Sequence, residues 1–512
     1  MLQGEGDKIL CIHIRSPFPN IMDINSRKFL ATLIACSILL VGCTGESDQG
    51  AEDISAQEEL EGPADIEIIP ETLEIEGSEF CDDTNQIHCM LPFPSGAFLS
   101  EDSSQDTGFR LSIDGEAIPD SRSSVSDNMV ILDRLDGFSP STQIFTAFEK
   151  VPNITGLATQ FDIEKSLMDD HRSVLLNMDT GEKVFHWIEV DARAQEGEET
   201  LLFLRTIEGL DHDTSYAVGF RGLLDSAGHQ INPHEGFRAL RDNISTSSVG
   251  IEEQREHYEE MFSSLDSSGF ERASLQAAWW FHTASTDSIL RDIVIMRDDA
   301  ENRLGQSGIG CNITEVNENY GNDGNTLRLI RGTFTTPHYM ENEYARSPLM
   351  RGESGDPQFV ENREVDFSML IPRSLADNNT SGPLTVFGHG LFGSGSSYVR
   401  NAGSIANEYQ TVVIATDFKG WSSDGDQDAM TFALLDLKEF QYQQERQMQA
   451  VINHISMVRT ITGICSDLVE FKNNGTNMID VETVNYIGIS LGGLRGPSLL
   501  AFVPELEWGV LW

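Results

Sequence analysis

Apolar and polar positions along the chain change their period twice. Between about 80 and 245, short β-prone runs at 109–113, 129–132, 173–177, 184–190, 200–205 and 215–220 alternate with Asp-Gly, Thr-Gly and Ala-Gly turns. Runs of this length, broken by turn signals, predict an all-β sandwich. From 246 to 305 the spacing becomes helical, with a polar helix near 251–262 and a second from Thr286 to Arg303, N-capped by Ser285 and carrying Ile289, Ile293 and Met296 near helical spacing. Between them the run Ala277-Ala278-Trp279-Trp280-Phe281 is apolar enough to demand burial. Residues 246–305 therefore read as a helical connector.

The third regime begins near 306. Runs at 327–330, 332–336 and 364–370 read as opening antiparallel strands, with 340–361 looping out between them. A helix from Tyr398 to Tyr409, a buried strand from Thr411 to Asp417, a long helix with the stripe Met448, Val451, Ile452, Ile455 and Val458, and a strand from Val484 to Ile489 follow. That succession predicts a parallel sheet with right-handed crossovers. His454 lies close to the stripe and reads as a core-edge residue.

Composition narrows the class. The 512 residues favour two or three domains, and 82 acids against 34 bases give a formal charge of −48. Such a field repels phosphate backbones, so nucleic acid is excluded as a partner. Arg27 and Lys28 precede the apolar run Phe29–Val41, too short to span a bilayer and suited to a leader whose start would be Met22. Residues 1–42 are thus read as a signal peptide. The run 43–79 is acidic, and no Lys or Arg occurs between Lys28 and Arg110, which predicts an extended tether.

Setting aside Cys11, Cys36 and Cys43 leaves Cys81, Cys89, Cys311 and Cys465, an even number in an exported chain. Cys81 and Cys89 are near enough in sequence to close a small loop; Cys311 and Cys465 either pair across the later domain or stay free. No Cys-x-x-Cys or paired His spacing accompanies them, and Asp424-Gly-Asp-Gln-Asp428 lacks the full calcium-loop spacing. No metal and no cofactor is expected.

The candidate chemistry sits late. Gly488-Ile489-Ser490-Leu491-Gly492-Gly493 follows a β-prone run and precedes helix-compatible residues, the context in which Gly-x-Ser-x-Gly makes a sharp turn and presents Ser490 Oγ. About a hundred residues upstream, Gly388-His389-Gly390-Leu391-Phe392-Gly393 closes another β-prone run with a glycine-rich turn, which leaves backbone N–H groups free for a developing oxyanion.

With both motifs, the chain resembles the α/β-hydrolases, in particular bacterial esterases and lipases with a His-Gly-x-x-Gly turn and a Gly-x-Ser-x-Gly. The resemblance implies Ser490 as nucleophile, the N–H groups of Leu391 and Leu491 as oxyanion hole, and Gly488, Gly492, Gly493, His389, Gly390 and Gly393 as supporting turn residues. Leu40-Val41-Gly42-Cys43 resembles the bacterial lipobox, which implies a lipidated Cys43, a membrane partner and a place in the cell envelope, at the outer membrane if the organism has one. The segment 201–229, ending in Asp225-Ser226-Ala227-Gly228, is similar to bacterial Ig-like modules. The expected fold is α/β, a partial α/β-hydrolase with a mostly parallel sheet over 306–512, preceded by an all-β Ig-like sandwich over 80–245.

In that family the acid and the histidine follow the nucleophile. Only Leu491 to Trp512 follow Ser490 here, without His or Asp, and Glu505 and Glu507 come too early for the acid. The chain therefore reads as incomplete at its C-terminus or as having lost activity. Two function classes stand: a surface-anchored serine hydrolase acting on a small-molecule or polymer ester, and a non-catalytic surface binding protein with a remnant hydrolase domain.

Overall fold

The computed structural model describes residues 72–118, 132–195, 198–423 and 427–512. The leader, Cys43, most of the acidic run and Asp424–Asp426 lie outside the described residues.

The first regime forms two antiparallel three-stranded sheets. One has the order β1 (Ile144–Phe148), β4 (Thr200–Thr206), β3 (His186–Val190); the other runs β2 (Ser173–Asn177), β5 (Ser215–Arg221), β6 (Leu275–His282). Leu132 begins a short 3-10 turn, so the run read at 129–132 is no strand in its described part. A larger difference concerns β6, which lies inside the stretch read as a helical connector. All eight of its residues are buried, because α1 (Val249–Ser267) covers it with Ile251, Tyr258, Met261, Phe262 and Leu265, while Trp280 packs where Gly96 has no side chain. Burial on both faces makes a strand read as one continuous apolar run, which removes the alternation that marks half-buried strands. Each such large side chain contributes roughly 1.5–3 kcal/mol.

The acidic tether is also shorter than expected. Leu73 N–H donates to Ser245 O, Ser247 N–H donates to Leu73 O, and Ile75 is buried, so the end of that run is strapped to the segment before α1. Cys81 and Cys89 are disulfide-bonded in the next loop.

The second regime starts at α2 (Thr286–Leu304), whose Ser285 caps it by accepting from Ser288 N–H. Strands β7 (Cys311–Glu318), β8 (Thr326–His338), β9 (Glu361–Pro372), β10 (Gly382–Gly388), β11 (Val412–Ala415), β12 (Ile479–Gly488) and β13 (Leu506–Leu511) build one sheet in the order β13-β12-β10-β11-β9-β8-β7. Pairs β13–β12, β12–β10 and β10–β11 are parallel; β11–β9, β9–β8 and β8–β7 are antiparallel. The sheet is therefore mixed rather than mostly parallel. Strands β7 to β9 follow one another without an intervening α-helix, the usual crossover between parallel neighbours, and they pair antiparallel.

Helices α3 (Gly395–Asn401) and α4 (Gly403–Tyr409) cover one face; the longer α6 (Phe440–Thr462), preceded by α5 (Gln427–Leu435), and α7 (Leu491–Phe502) pack with α2 on the other. Buried positions extend all round α6, well beyond its apolar stripe. The excursion between β8 and β9 supplies partners for its polar side: Leu349 N–H donates to Glu445 Oε2 at 2.5 Å, Tyr339 N–H to Gln449 Oε1 at 2.9 Å, and Arg351 pairs with Glu445. Cys311 on β7 is bonded to Cys465 just beyond α6. The described residues from 72 onward belong to a single compact unit, in which one apolar core spans Ile75 to Phe281 and another Ile293 to Leu506.

Candidate active site

The site is built where β10 and β12, neighbours in register with Gly388 opposite Gly488, both end. Small residues are required there by contact. A Cβ on Gly492 would stand 2.2 Å from Gly388 O, and one on Gly488 would stand 2.2 Å from Gly492 O. Tyr486, buried beneath, donates its hydroxyl to Gly492 O at 2.6 Å and fills the space a side chain on Gly388 would need. Burial pushes its phenol above the usual range, so it remains a donor. Gly493 abuts the Trp512 backbone, and Ser490 N–H donates to Trp512 O at 2.6 Å.

Squeezed by these contacts, Ser490 takes φ 55° and ψ −114°, a left-handed conformation that costs a non-glycine residue roughly 1–3 kcal/mol. Its side chain is exposed, and no hydrogen bond to its Oγ occurs among the described residues. It is the N-cap of α7, where the helix N-terminus directs partial positive charge at whatever forms on Oγ.

The upstream turn meets the same point. A Cβ on Gly390 would lie 3.6 Å from Ser490 Cβ, so the glycine lets the loop press against the serine. Gly393 N–H donates to Gly390 O at 2.9 Å, closing the turn, and Phe392 is held at φ 59° with its ring exposed. Among the described residues neither the Leu391 N–H nor the Leu491 N–H has an acceptor. Two free donors beside an exposed, strained serine are what stabilisation of an oxyanion needs.

His389 is buried. Its Nδ1 contacts Gly390 O at 2.9 Å and its Nε2 accepts from Phe418 N–H at 2.8 Å, which fixes the neutral ring with the proton on Nδ1. Asp417 accepts from Gly395 N–H at 2.6 Å and lies 4.0 Å from His389 Nε2. Both side chains thus hold the glycine-rich turn against the end of β11. His454 is buried as well, donates from Nδ1 to Ala450 O at 2.7 Å, and stacks on Phe418; burial pushes its pKa down to about 4. Glu505 is paired with Arg459. Among the described residues no histidine is hydrogen-bonded to Ser490.

Several contributors escaped the sequence reading. Tyr486 and the Trp512 carbonyl support the turn from positions without any motif signal, and the left-handed Phe392 has no local residue type that announces it. A polar cavity of about 800 Å³ opens at the same sheet edge, lined by Ser396, Asp417 and Asn453 among others; Ser490 does not line it.

No protein-family model matches the chain, and no curated protein matches it. Solved structures similar to it include acetyl xylan esterase 1 from Thermoanaerobacterium, at 14% identity and TM-score 0.24 over 44% of this chain and 57% of that one. A cold-adapted esterase from an Arctic intertidal metagenomic library gives 14% identity and TM-score 0.22 over 35% of this chain and 59% of that one. The rice cell wall degrading esterase LipA from Xanthomonas oryzae gives 13% identity and TM-score 0.20 over 40% and 48%. The chain thus spans between about half and three-fifths of these neighbours' lengths. These three neighbours are esterases, at scores too low to carry weight on the reaction.

Proposed function

We propose that this protein is a surface-anchored serine hydrolase that cleaves carboxylic esters, of a small molecule, a lipid or a polyester, through an acyl-enzyme on Ser490. The observation that carries the reading is the strained, exposed Ser490 beside the unused N–H groups of Leu391 and Leu491. Oγ attacks the ester carbonyl, its proton departs with the alcohol as the C–O bond breaks, and water then releases the acid. The charge that gathers on the carbonyl oxygen in both steps is met by the two N–H groups and the start of α7. The β-rich region over 80–245 is proposed as an Ig-like module, and Cys43 as a lipidated N-terminus that holds the body at a bacterial envelope.

A second reading, a non-catalytic surface binder, is favoured by one observation: both His389 nitrogens are engaged by backbone groups, Gly390 O and Phe418 N–H. One experiment separates the two. The protein and its Ser490→Ala variant are treated with a fluorophosphonate and with p-nitrophenyl butyrate, and the adduct is mapped by mass spectrometry. Labelling and acylation on the peptide carrying Ser490, lost in the variant, support the hydrolase. Unlabelled protein with no Ser490-dependent hydrolysis supports the binder. Mass analysis of the mature N-terminus tests the anchor, which fails if the chain starts unmodified at any residue other than Cys43.

A further inference from the structure

Tyr398 stands on the short helix α3, immediately after the glycine-rich turn. Several contacts fix it. Its ring stacks on Phe387 at 5.2 Å between centroids and 25° between planes, and its backbone N–H donates to Ser394 O. A Cβ on Gly393 would stand 2.9 Å from Cε2 of the ring, so the turn closes against the aromatic edge only because residue 393 has no side chain. Helix α3 is itself held: Ser394 caps it by accepting from Ser397 N–H, and Gly395 N–H donates to Asp417 at 2.6 Å.

The hydroxyl lies close to the serine. A Cβ on Gly390 would stand 3.0 Å from Tyr398 Oη and 3.6 Å from Ser490 Cβ, so one point beside Gly390 touches both side chains. Gly390 immediately precedes Leu391, whose N–H is one of the two unused donors, and Ser490 immediately precedes Leu491, whose N–H is the other. The phenol oxygen is therefore a neighbour of the two residues whose peptide units end in those N–H groups.

That oxygen has no hydrogen-bond partner among the described residues. The other phenol of the site, Tyr486, commits its hydroxyl to Gly492 O. A phenylalanine would make the same stack on Phe387, so packing does not account for the hydroxyl of Tyr398. A phenol donates an O–H, and a donor fixed in advance beside developing charge is what stabilises an oxyanion.

We infer that Tyr398 is a third donor of the oxyanion hole. The inference rests on the hydrolase reading. As Ser490 Oγ adds to the ester carbonyl carbon, the π pair of the C=O bond moves onto its oxygen, and Tyr398 O–H donates a hydrogen bond to that oxygen beside the N–H groups of Leu391 and Leu491. The phenol keeps its proton throughout. The pair returns to re-form C=O as the C–O bond to the alcohol breaks, and the alcohol leaves with the proton from Oγ.

The test is Tyr398→Phe in the full chain, which keeps the stack and removes one oxygen without a partner. Its thermal midpoint should match the parent's to within about 2 °C. Fluorophosphonate labelling of Ser490, followed by mass spectrometry, should slow about a hundredfold, and p-nitrophenyl butyrate should lose about a hundredfold in kcat with KM unchanged, the cost of removing one such donor. Ethyl butyrate should lose the same factor, since the carbonyl oxygen carries the charge in either ester. A larger loss with the ethyl ester would make the phenol a proton donor to the departing alcohol, and a lowered thermal midpoint would make the hydroxyl a support of the fold; either result overturns the inference. A parent labelled at Ser490 no faster than Tyr398→Phe overturns the inference alone, whereas a parent left unlabelled at Ser490 removes the hydrolase reading and the inference together.

Discussion

Ser490 and Ser215 form an instructive pair. Ser215, on β5, accepts or donates at His282 Nδ1 at 2.8 Å, and His282 Nε2 lies 3.1 Å from Asp213 Oδ1, so a serine, a histidine and an aspartate are joined in a row. Ser490 has no such histidine among the described residues. Yet Ser215 sits in a regular strand directly opposite His282, half-buried, with its backbone C=O accepting from Met178 N–H at 2.8 Å. Ser490 stands exposed on a left-handed turn with unused N–H groups beside it. A list of side-chain partners picks the first; backbone geometry picks the second. Acyl transfer needs an accessible oxygen and preorganised donors for the oxyanion, and a cross-strand pair supplies neither.

The largest expected effect is on reactivity. Ser490→Ala should abolish covalent labelling by a fluorophosphonate, whereas Ser215→Ala should leave it at the parent level; the reverse result, read by mass spectrometry, would break the comparison. Next in size is packing at glycine. Gly492→Ala drives a methyl group into the Gly388 backbone and should cost about 3 kcal/mol or more, while Gly219→Ala on β5 meets only the movable side chains of Val174, Leu275 and Leu265 and should cost about 1 kcal/mol. Denaturant midpoints of the two variants give the difference.

Acid sharpens the picture within the second core. His454 has a pKa near 4 in the folded protein because burial disfavours its charged form, below the ordinary value of 6.5. A depressed folded-state pKa means that the unfolded chain binds the proton first, so stability present above pH 6.5 is lost as pH falls toward 4, by on the order of 3 kcal/mol. His186 behaves likewise in the first core, while Asp82, raised to about 6 by burial, and Asp292, raised to about 7 by burial, run the other way: their contribution is complete at acid pH and is lost as pH rises through those values. The discriminating measurement is therefore a difference: His454→Phe should flatten the fall in unfolding free energy between pH 6.5 and 4, and an unchanged slope would remove His454 from the account.

The smallest effect concerns the backbone itself. Ser490→Gly should raise stability by about 1 kcal/mol by releasing the left-handed strain, and Ser215→Gly should lower it by about 1 kcal/mol, since glycine weakens a strand. Opposite signs in thermal unfolding would show that only one serine is held at a cost.

The sequence by itself determined the local parts. The runs at 173–177, 200–205 and 215–220, the Ser285 cap, the strand before Ser490 and the turn after Gly388 are all local signals, written in alternation, capping and glycine spacing, and the structure has elements at each. Partners distant in sequence were decided only by the tertiary structure. Strand β6 lost its alternation because α1 and Gly96 bury both of its faces, and α6 shows buried polar positions because the loop from Tyr339 to Arg351 hydrogen-bonds them. The mixed sheet and the close approach of Gly388 to Gly492 depend on which strand ends lie side by side. A motif fixes which residues make a turn; the strain on Ser490 comes from backbones about a hundred residues apart being pressed into van der Waals contact, and no local pattern encodes that pressure.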